Sequence, residues 1–355
     1  MSSAAYRHLT PDAVDLLLAG KLLTEGRRQA TRYAYAEAIL ELGHRNSAVV
    51  VLDADVAKSI QTTEFARAFP ERAFNFGIAE QNMVAAAAGM ATTGLIPFVS
   101  SYAVFITMRA LDQVRNSVHY PRLNVKFAAS HGGITPGPDG PTHQGQEDFN
   151  LIRAIGASTI VAAADPMSAE LATWAAAAWD GPVYLSLTRD PVPYLYGKDY
   201  PFEIGKAVVI REGSDATIVA IRDMVAQALI AAELLAQRGI DVRVIDCHTL
   251  KPLDEATLLQ AARETGAIVT AESNIKLGGL GSAVAELLVE QYPVPMQRIG
   301  LRDGFAESGP YLELLRKYGM SAEHIAAAVE QVIARKRPKR APRAAHSDPQ
   351  RRLPI

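Results

Sequence analysis

The longest stretch without a charged side chain, residues 81 to 108, restricts most strongly what this chain can fold into. It exceeds the roughly 20 apolar residues that a membrane-spanning helix needs. Polar and turn-forming residues nevertheless interrupt it, namely Asn82, Gly89, Thr92, Thr93, Gly94, Pro97, Ser100 and Ser101. The stretch therefore predicts a buried helix, a turn and a buried strand rather than a membrane span. We call it the charge-free run.

Segments compatible with helices alternate with short β-branched runs from about Thr31 to Leu187. The pattern predicts helices at 31–42, 80–91, 103–118 and 167–178, and strands at 48–52, 95–99, 123–128, 159–163 and 182–187. Such alternation is typical of an α/β fold with a doubly wound, mostly parallel sheet covered on both faces. It restarts near residue 216 and predicts a second, smaller α/β domain.

Composition divides the chain into five parts: an N-terminal arm (1–30), a first domain (31–195), a linker (196–206), a second domain (207–334) and a basic tail (335–355). The tail has eight Lys or Arg residues and one acidic residue, although the whole chain has a net charge of −2. Basic charge confined to a proline-containing tail indicates disorder rather than a surface for nucleic acid or membrane. The single Cys247 and the absence of a signal peptide predict a cytoplasmic protein.

Polar residues that follow predicted strands are the first candidates for a site, because ligands of open α/β sheets bind beyond the carboxyl ends of the strands. Four clusters meet this criterion: 53–59, 77–82, 131–143 and 188–190. Arg189 belongs to the last cluster, where its guanidinium could hold a phosphate or a carboxylate. An ordinary surface arginine is the alternative.

Glu80 lies between a predicted strand and an apolar helix, where a partly buried carboxylate could exchange a proton with a nitrogen base. The simpler interpretation is a helix-start charge favoured by the helix dipole. Tyr102 and Phe105 are three residues apart on one helical face, so they form either part of the core or a stacking wall for a heteroaromatic ring.

The segment 131–146 is long and polar for an ordinary connection, and it contains His131, Asp139 and His143. No cysteine or regular carboxylate spacing accompanies the histidines, so we do not predict a metal site. Hydrogen bonding to a hydroxylated substrate fits these residue types better. A purely structural loop, in which Asp139 only makes the turn, is the alternative.

Several motifs in order resemble the pyrimidine-binding domain of the transketolase family. They are GIAEQNM at 77–83, the segment 97–108, DGPTHQ at 139–144 and SLTRD at 186–190. TLKPLDE at 249–255 and AESNIKLGGLGS at 271–282 resemble the C-terminal domain of the same family. The resemblance covers about 31–334 and implies an enzyme of the thiamine diphosphate superfamily.

The resemblance implies that several residues touch the cofactor. Glu80 matches the glutamate that hydrogen-bonds the aminopyrimidine ring, and Phe105 and Tyr102 match aromatic residues of the wall beside that ring. The third aromatic of the wall is here Met108, so the wall is expected to be incomplete. Asp55 matches a residue near the cofactor and the subunit contact.

Other residues match positions that handle the sugar. Catalytic roles are implied for His131 and His143 as well as for Glu80, while Asp139 matches a residue that binds a substrate hydroxyl. Arg189 and Ser59 match contacts to the substrate phosphate. The implied reaction moves a two-carbon ketol unit from a ketose phosphate to an aldose phosphate.

One departure from the family concerns assembly. Whole transketolases begin with a domain that binds the diphosphate through Mg²⁺ and has a GDG motif with a downstream Asn pair, and neither occurs in this sequence. The resemblance is therefore to the C-terminal subunit of a split transketolase. A partner N-terminal subunit would supply the Mg²⁺ ligands, and paired subunits would form a heterotetramer.

Other functions of the same scaffold stay open. The chain could be the β subunit of a 2-oxoacid dehydrogenase, an enzyme like 1-deoxyxylulose-5-phosphate synthase, or a cofactor-free scaffold. Asp139 and His143 favour a sugar substrate, because buried polar groups left unmatched by a hydroxyl-free acid cost about 1 to 3 kcal/mol each. Pentose phosphates, apulose 4-phosphate and a sulfosugar all remain candidate substrates.

Overall fold

The computed structural model describes residues 5–336, so most of the predicted tail 335–355 lies outside the described residues. The first part of the chain forms the elements α1 (Pro11–Leu18), β1 (Arg28–Gln29), α2 (Thr31–Arg45), β2 (Val49–Asp53), α3 (Ala57–Ile60), α4 (Thr63–Ala68), β3 (Ala73–Asn75), α5 (Glu80–Ala91), β4 (Ile96–Tyr102), β5 (Lys126–Ser130), α6 (Asp148–Ala154), β6 (Thr159–Ala162), α7 (Pro166–Ala178), β7 (Val183–Ser186) and β8 (Val192–Pro193). Short 3₁₀ turns lie at Pro70–Arg72 and Gly137–Asp139.

The second part of the chain repeats the alternation of strands and helices. Its elements are β9 (Val208–Arg211), β10 (Ala216–Ala220), α8 (Met224–Ala236), β11 (Val242–Asp246), β12 (Thr249–Lys251), α9 (Glu255–Thr265), β13 (Ile268–Ile275), α10 (Leu280–Gln291), β14 (Met296–Leu301), α11 (Tyr311–Lys317) and α12 (Ala322–Ala334).

Two main sheets organise these elements. The first has the strand order β12-β6-β7-β5-β4-β2-β3, and the second has the order β14-β13-β10-β11-β9. All pairings are parallel except at one edge of each sheet, where β12 and β9 are antiparallel to their neighbours. The predicted doubly wound, mostly parallel α/β class with a second α/β unit is therefore confirmed.

The edge strand β12 connects the two units. It comes from the second half of the chain but pairs with β6 of the first sheet, with Thr249 opposite Val161 and Lys251 opposite Ile160. Sequence periodicity could not assign it, because a three-residue strand carries too little pattern. The domain boundaries stay a prediction. A strand from the second half of the chain is nevertheless part of the first sheet.

Local chemistry explains where the elements begin and how they pack. All five positions of β2 are buried, as expected for a parallel strand covered by helices on both faces. Helix α7 begins with a capping box between Asp165 and Ser168, followed by Pro166 at the first helical position. Helix α9 is capped by Asp254 and ends at Gly266 in the left-handed conformation.

The charge-free run forms α5, a turn and β4, as the sequence predicts. No helix between residues 5 and 336 is long and apolar enough to span a bilayer. The helix predicted at 103–118 is confirmed, but its main segments, Phe105–Arg109 and Gln113–His119, are π-helical rather than α-helical. Periodicity alone does not separate such widened turns from an α-helix, since both bury one apolar face.

The segments predicted as arm and linker are packed against the second unit. Helix α1 contacts α8, and the backbone N–H of Arg7 in the arm donates to the Ile210 carbonyl oxygen of β9. In the linker, the Tyr196 and Tyr200 hydroxyls both donate to Asp246 Oδ2, at 2.7 and 2.9 Å. These contacts bury both tyrosines and tie the linker to the end of β11.

The buried Asp246 makes stability depend on pH. Burial raises the pKa of its carboxyl group to about 7, although the two tyrosine hydrogen bonds lower it. Between about pH 4 and pH 7 the unfolded chain therefore loses this proton while the folded chain keeps it, and the free energy of unfolding falls as pH rises. The slope of this contribution approaches about 1.4 kcal/mol per pH unit.

We expect Asp246→Asn to remove that part of the pH dependence, because the amide oxygen still accepts from the tyrosines but does not titrate. Urea unfolding of both proteins at pH 4.5, 5.5, 6.5 and 7.5 measures the two slopes. Asp199→Asn, which changes an exposed carboxylate of the same segment, is the matched control. Equal slopes in the wild type and in Asp246→Asn would contradict the prediction.

Candidate active site

Four of the predicted site residues lie at or beyond the carboxyl ends of neighbouring parallel strands. Tyr102 ends β4, while Ser59, His131 and Arg189 follow β2, β5 and β7. These strands are adjacent in the order β7-β5-β4-β2, so their carboxyl ends meet at one edge of the sheet. The fold thereby brings together residues that are far apart in the sequence, from Ser59 to Arg189.

The predicted aromatic wall is part of a longer stack, which we call the aromatic column. The ring centroids of His131 and Tyr102 are 3.7 Å apart, and those of Tyr102 and Phe105 are 5.2 Å apart, with interplanar angles of 20° and 22°. The Arg109 guanidinium lies 4.0 Å from the Phe105 ring centroid. His143 approaches Tyr102 and Phe105 at 5.9 and 5.5 Å with its ring steeply inclined to theirs.

Glu80 is buried at the first position of α5, with 2% of its side chain exposed. Its Oε1 atom accepts a hydrogen bond from Arg109 Nη1 at 3.0 Å. A buried carboxylate needs such a partner, because an unpaired buried charge is costly. The sequence-based expectation of a buried carboxylate at this position is met, but the arginine that pairs with it was not foreseen.

His131 is a neutral imidazole. Burial, together with the nearby positive charges of Arg32 and Arg189, lowers its pKa to about 2. Its Nδ1 atom lies 2.9 Å from Ser130 Oγ, and its Nε2 atom lies 3.6 Å from Asp139 Oδ2. An uncharged ring in this position exchanges hydrogen bonds with a polar ligand without adding a charge.

Two arginines, Arg32 and Arg189, form a corner beside the aromatic column. Arg32 Nη1 donates to Ser59 Oγ at 3.3 Å, and the same Ser59 oxygen accepts from the Tyr102 hydroxyl at 2.7 Å. Arg189 pairs with Asp139 and Asp190, each at 3.2 Å. Within residues 5–336 the buried Arg32 Nε has no hydrogen-bond partner, which suits a site that receives an anion.

Residues of the second unit hold the loop 131–146 in place through hydrogen bonds. The Ile134 N–H donates to the Ser273 carbonyl oxygen at 3.2 Å, and the Gly309 N–H donates to the Gly137 carbonyl oxygen at 3.3 Å. Gln144 Nε2 donates to the carbonyl oxygen of Glu307 at 3.2 Å. The loop that contains two candidate catalytic histidines is therefore positioned by both units.

Arg222 lies at the centre of these interactions and is fully buried. Its guanidinium donates to four side chains at 2.7 to 2.8 Å, and these belong to Ser186, Asp223, Ser273 and Asn274. A Cβ atom at Gly133 would lie 2.2 Å from Arg222 Nη2, so the glycine allows the loop to pass over the guanidinium. We call this group the Arg222 network.

Two predicted positions lie apart from the aromatic column. Asp55 is exposed in a left-handed turn, and its backbone N–H donates to Asn75 Oδ1 at 3.1 Å. Met108 is 48% exposed, and Arg109 rather than Met108 covers Phe105. The described residues contain no group of three or more His, Cys, Asp or Glu side chains placed to hold a metal ion.

Three arginines that lie in the candidate site or support its loop were missed by the sequence reasoning, namely Arg32, Arg109 and Arg222. Arg32 follows the two-residue strand β1, which the sequence does not predict, so the strand-end rule does not select it. One signal could have found Arg109: Glu80 precedes the charge-free run and Arg109 follows it, and these two bounding charges pair with each other. Arg222 does follow a strand, and its two acidic partners, Asp148 and Asp223, come from different units.

Fold and site together define a pyrimidine-binding domain followed by a transketolase C-terminal domain. The model of the transketolase pyrimidine-binding domain matches residues 27–193, and that of the transketolase C-terminal domain matches residues 205–325. The chain belongs to the transketolase family. The resemblance seen in the sequence motifs is thereby confirmed.

Among the similar proteins, one is named as a transketolase subunit and another comes from a split-gene transketolase. The chain is 43% identical over 305 residues to the 6-deoxy-6-sulfo-D-fructose transketolase subunit of Clostridium sp. (strain MSTE9), covering 86% of this chain and 95% of the relative. A solved split-gene transketolase, described as an inactive β4 tetramer, is 48% identical with a TM-score of 0.82, covering 87% of this chain and 99% of that one. The 1-deoxy-D-xylulose-5-phosphate synthase of Syntrophotalea carbinolica is 37% identical over 84% of this chain, but the match spans only 47% of that enzyme.

Proposed function

We propose that this chain is the pyrimidine-binding subunit of a two-chain transketolase, which transfers a two-carbon ketol unit from a ketose phosphate to an aldose phosphate. The observation that carries the proposal is the single edge of the sheet where buried Glu80, the aromatic column and Arg189 meet. When bound, thiamine diphosphate supplies a nucleophilic thiazolium carbon that holds the two-carbon unit.

The residues present fit one half of that cofactor. The Glu80 carboxylate can accept from a protonated ring nitrogen, and the Phe105 face offers a flat apolar wall of the kind that stacks on a heteroaromatic ring. Asp55 is proposed to lie near the cofactor at the contact between subunits. The diphosphate and its Mg²⁺ are assigned to a partner subunit, because this sequence has neither the GDG motif nor the Asn pair.

The need for a partner has independent support from relatives. A β4 tetramer of a split-gene transketolase 48% identical to this chain is described as inactive, and the Clostridium relative is itself a subunit. By analogy, the active form of this protein is a heterotetramer in which each site lies between two kinds of chain.

The proposed substrate contacts follow from charge and protonation. Neutral His131, with His143 and Asp139 beside it, provides hydrogen bonds for sugar hydroxyl groups. Arg189 and Arg32 with Ser59 form the corner that receives the anionic end of the sugar. A phosphate and a sulfonate share the charge and oxygen geometry that this corner recognises.

A second candidate function is 1-deoxyxylulose-5-phosphate synthesis, which the similarity to the Syntrophotalea enzyme favours. That reaction starts from pyruvate and releases CO₂, as does a 2-oxoacid dehydrogenase, whereas ketol transfer releases none. Asp139 and the histidines favour a hydroxylated donor, because a 2-oxoacid lacks the hydroxyl groups that would satisfy them.

Assays of this chain together with a subunit that carries the GDG motif test the function. We expect ketose formation from fructose 6-phosphate or 6-deoxy-6-sulfofructose with an aldose phosphate acceptor, only when both chains are present and without CO₂. The two donors distinguish a phosphate from a sulfonate substrate. CO₂ release from pyruvate or from a branched 2-oxoacid, without ketol transfer, would instead establish one of the decarboxylating alternatives.

A further inference from the structure

We propose that Arg109 is a built-in occupant of the pyrimidine site, which holds Glu80 and Phe105 until the cofactor displaces it. The inference rests on the proposed function, since it concerns the same site. It assigns to Arg109 control over how tightly the pyrimidine ring binds.

The carboxylate and the ring face that would hold the pyrimidine have one and the same partner in this structure. Arg109 Nη1 lies 3.0 Å from Glu80 Oε1, and the centre of the same guanidinium lies 4.0 Å from the Phe105 ring centroid. A guanidinium is flat, donates hydrogen bonds to a carboxylate and stacks on aromatic rings. An aminopyrimidine is also flat and stacks on aromatic rings, and it donates to a carboxylate when its ring nitrogen carries a proton, so the two groups compete for one place.

The burial of the two partners indicates which of them moves. Glu80 is 2% exposed and fixed at the start of α5, whereas the Arg109 side chain is 47% exposed. Arg109 ends the π-helical segment Phe105–Arg109 and follows the exposed Met108. The guanidinium can therefore swing into solvent while the carboxylate and the ring stay in place.

The contact also explains how a buried carboxylate is tolerated before any ligand arrives. Within residues 5–336, Glu80 forms its ion pair with Arg109. An incoming ring must replace this charge-assisted hydrogen bond and the cation–π contact. The apparent dissociation constant then equals the intrinsic one divided by the fraction of molecules in which Arg109 is displaced.

Binding of the cofactor's pyrimidine fragment to the full chain tests this competition. NMR titration with 4-amino-5-hydroxymethyl-2-methylpyrimidine gives its dissociation constant without any catalytic turnover. We expect Arg109→Ala to bind the fragment about 3- to 30-fold more tightly than the wild type. Arg109→Lys keeps the charge but not the flat stacking surface, so its affinity is expected between the two.

Two further variants make the result specific. Arg115→Ala removes an exposed arginine of the neighbouring π-helical segment and is expected to leave binding unchanged. Glu80→Gln combined with Arg109→Ala is expected to abolish the gain, because the fragment then lacks its carboxylate. Circular dichroism and the melting temperature verify that each variant is folded.

Failure of this inference is distinguishable from failure of the proposed function. If Arg109→Ala binds the fragment as weakly as the wild type, or more weakly, and binding still depends on Glu80, Arg109 is not an occupant but the cofactor site stands. If no variant shows binding that depends on Glu80, the pyrimidine site itself is refuted. The role proposed for Arg109 as its occupant is then refuted as well.

Discussion

Glu80→Gln in the two-chain enzyme is expected to lower turnover by about 10² to 10⁴, the range for losing a positioned proton-transfer group. Glutamine has nearly the shape of glutamate, and its amide oxygen still accepts from Arg109 at the Oε1 position. The fold and the hydrogen bond from Arg109 are therefore expected to be retained, although the ion pair is lost. What is lost is a carboxylate that exchanges a proton with a ring nitrogen. Initial rates of ketose formation with saturating thiamine diphosphate measure the effect.

Glu64→Gln is the matched control for this experiment. Glu64 also lies in the first turn of a helix and pairs with an arginine, Arg67, but both members of this pair are exposed. The rate of this variant is expected to stay close to that of the wild type. A Glu80→Gln enzyme that retained more than a tenth of the normal rate would remove Glu80 from the chemistry and leave it a structural role.

Arg222→Met is expected to lower the free energy of unfolding by about 3 to 5 kcal/mol, because buried carboxylates lose the positive charge that balances them. The guanidinium pairs with Asp223 at 2.8 Å, and Asp148 Oδ2 lies 4.0 Å from it. Burial already raises the pKa of Asp148, and Arg222 is the largest influence that lowers it. Methionine fills similar volume, so the loss comes from charge and hydrogen bonds rather than from a cavity.

Urea unfolding at neutral pH measures this loss, and Arg238→Met provides the comparison. Arg238 pairs with Glu330, but its side chain is 51% exposed, so its loss is expected to cost no more than about 1 kcal/mol. Because the Arg222 network supports the loop 131–146, we also expect weaker substrate binding in the Arg222 variant. A change in unfolding free energy below about 1 kcal/mol in Arg222→Met would show that the network is not a major source of stability.

Much of the fold was predictable because its signals are local. Periodicity placed α5 at residues 80–91, as observed, and located β2, β6 and β7 to within two residues. The strand-end rule brought Ser59, His131 and Arg189 into one site, since parallel neighbours end at the same edge. The short edge strand β12 and the π-helical geometry of the helix after β4 were missed, because neither leaves a distinct pattern in the sequence.

The sequence by itself determined the class of fold, the family and most of the residue types at the site. Those features depend on patterns among near neighbours in the chain and on motifs that keep their order. Only the tertiary structure shows that Arg109 forms an ion pair with Glu80 and that Arg32 donates a hydrogen bond to Ser59. It also shows that Arg222 lies against Gly133 in a loop far earlier in the sequence. Each of these pairings joins residues far apart in sequence, and only the packing of sheets and helices brings such charges within reach.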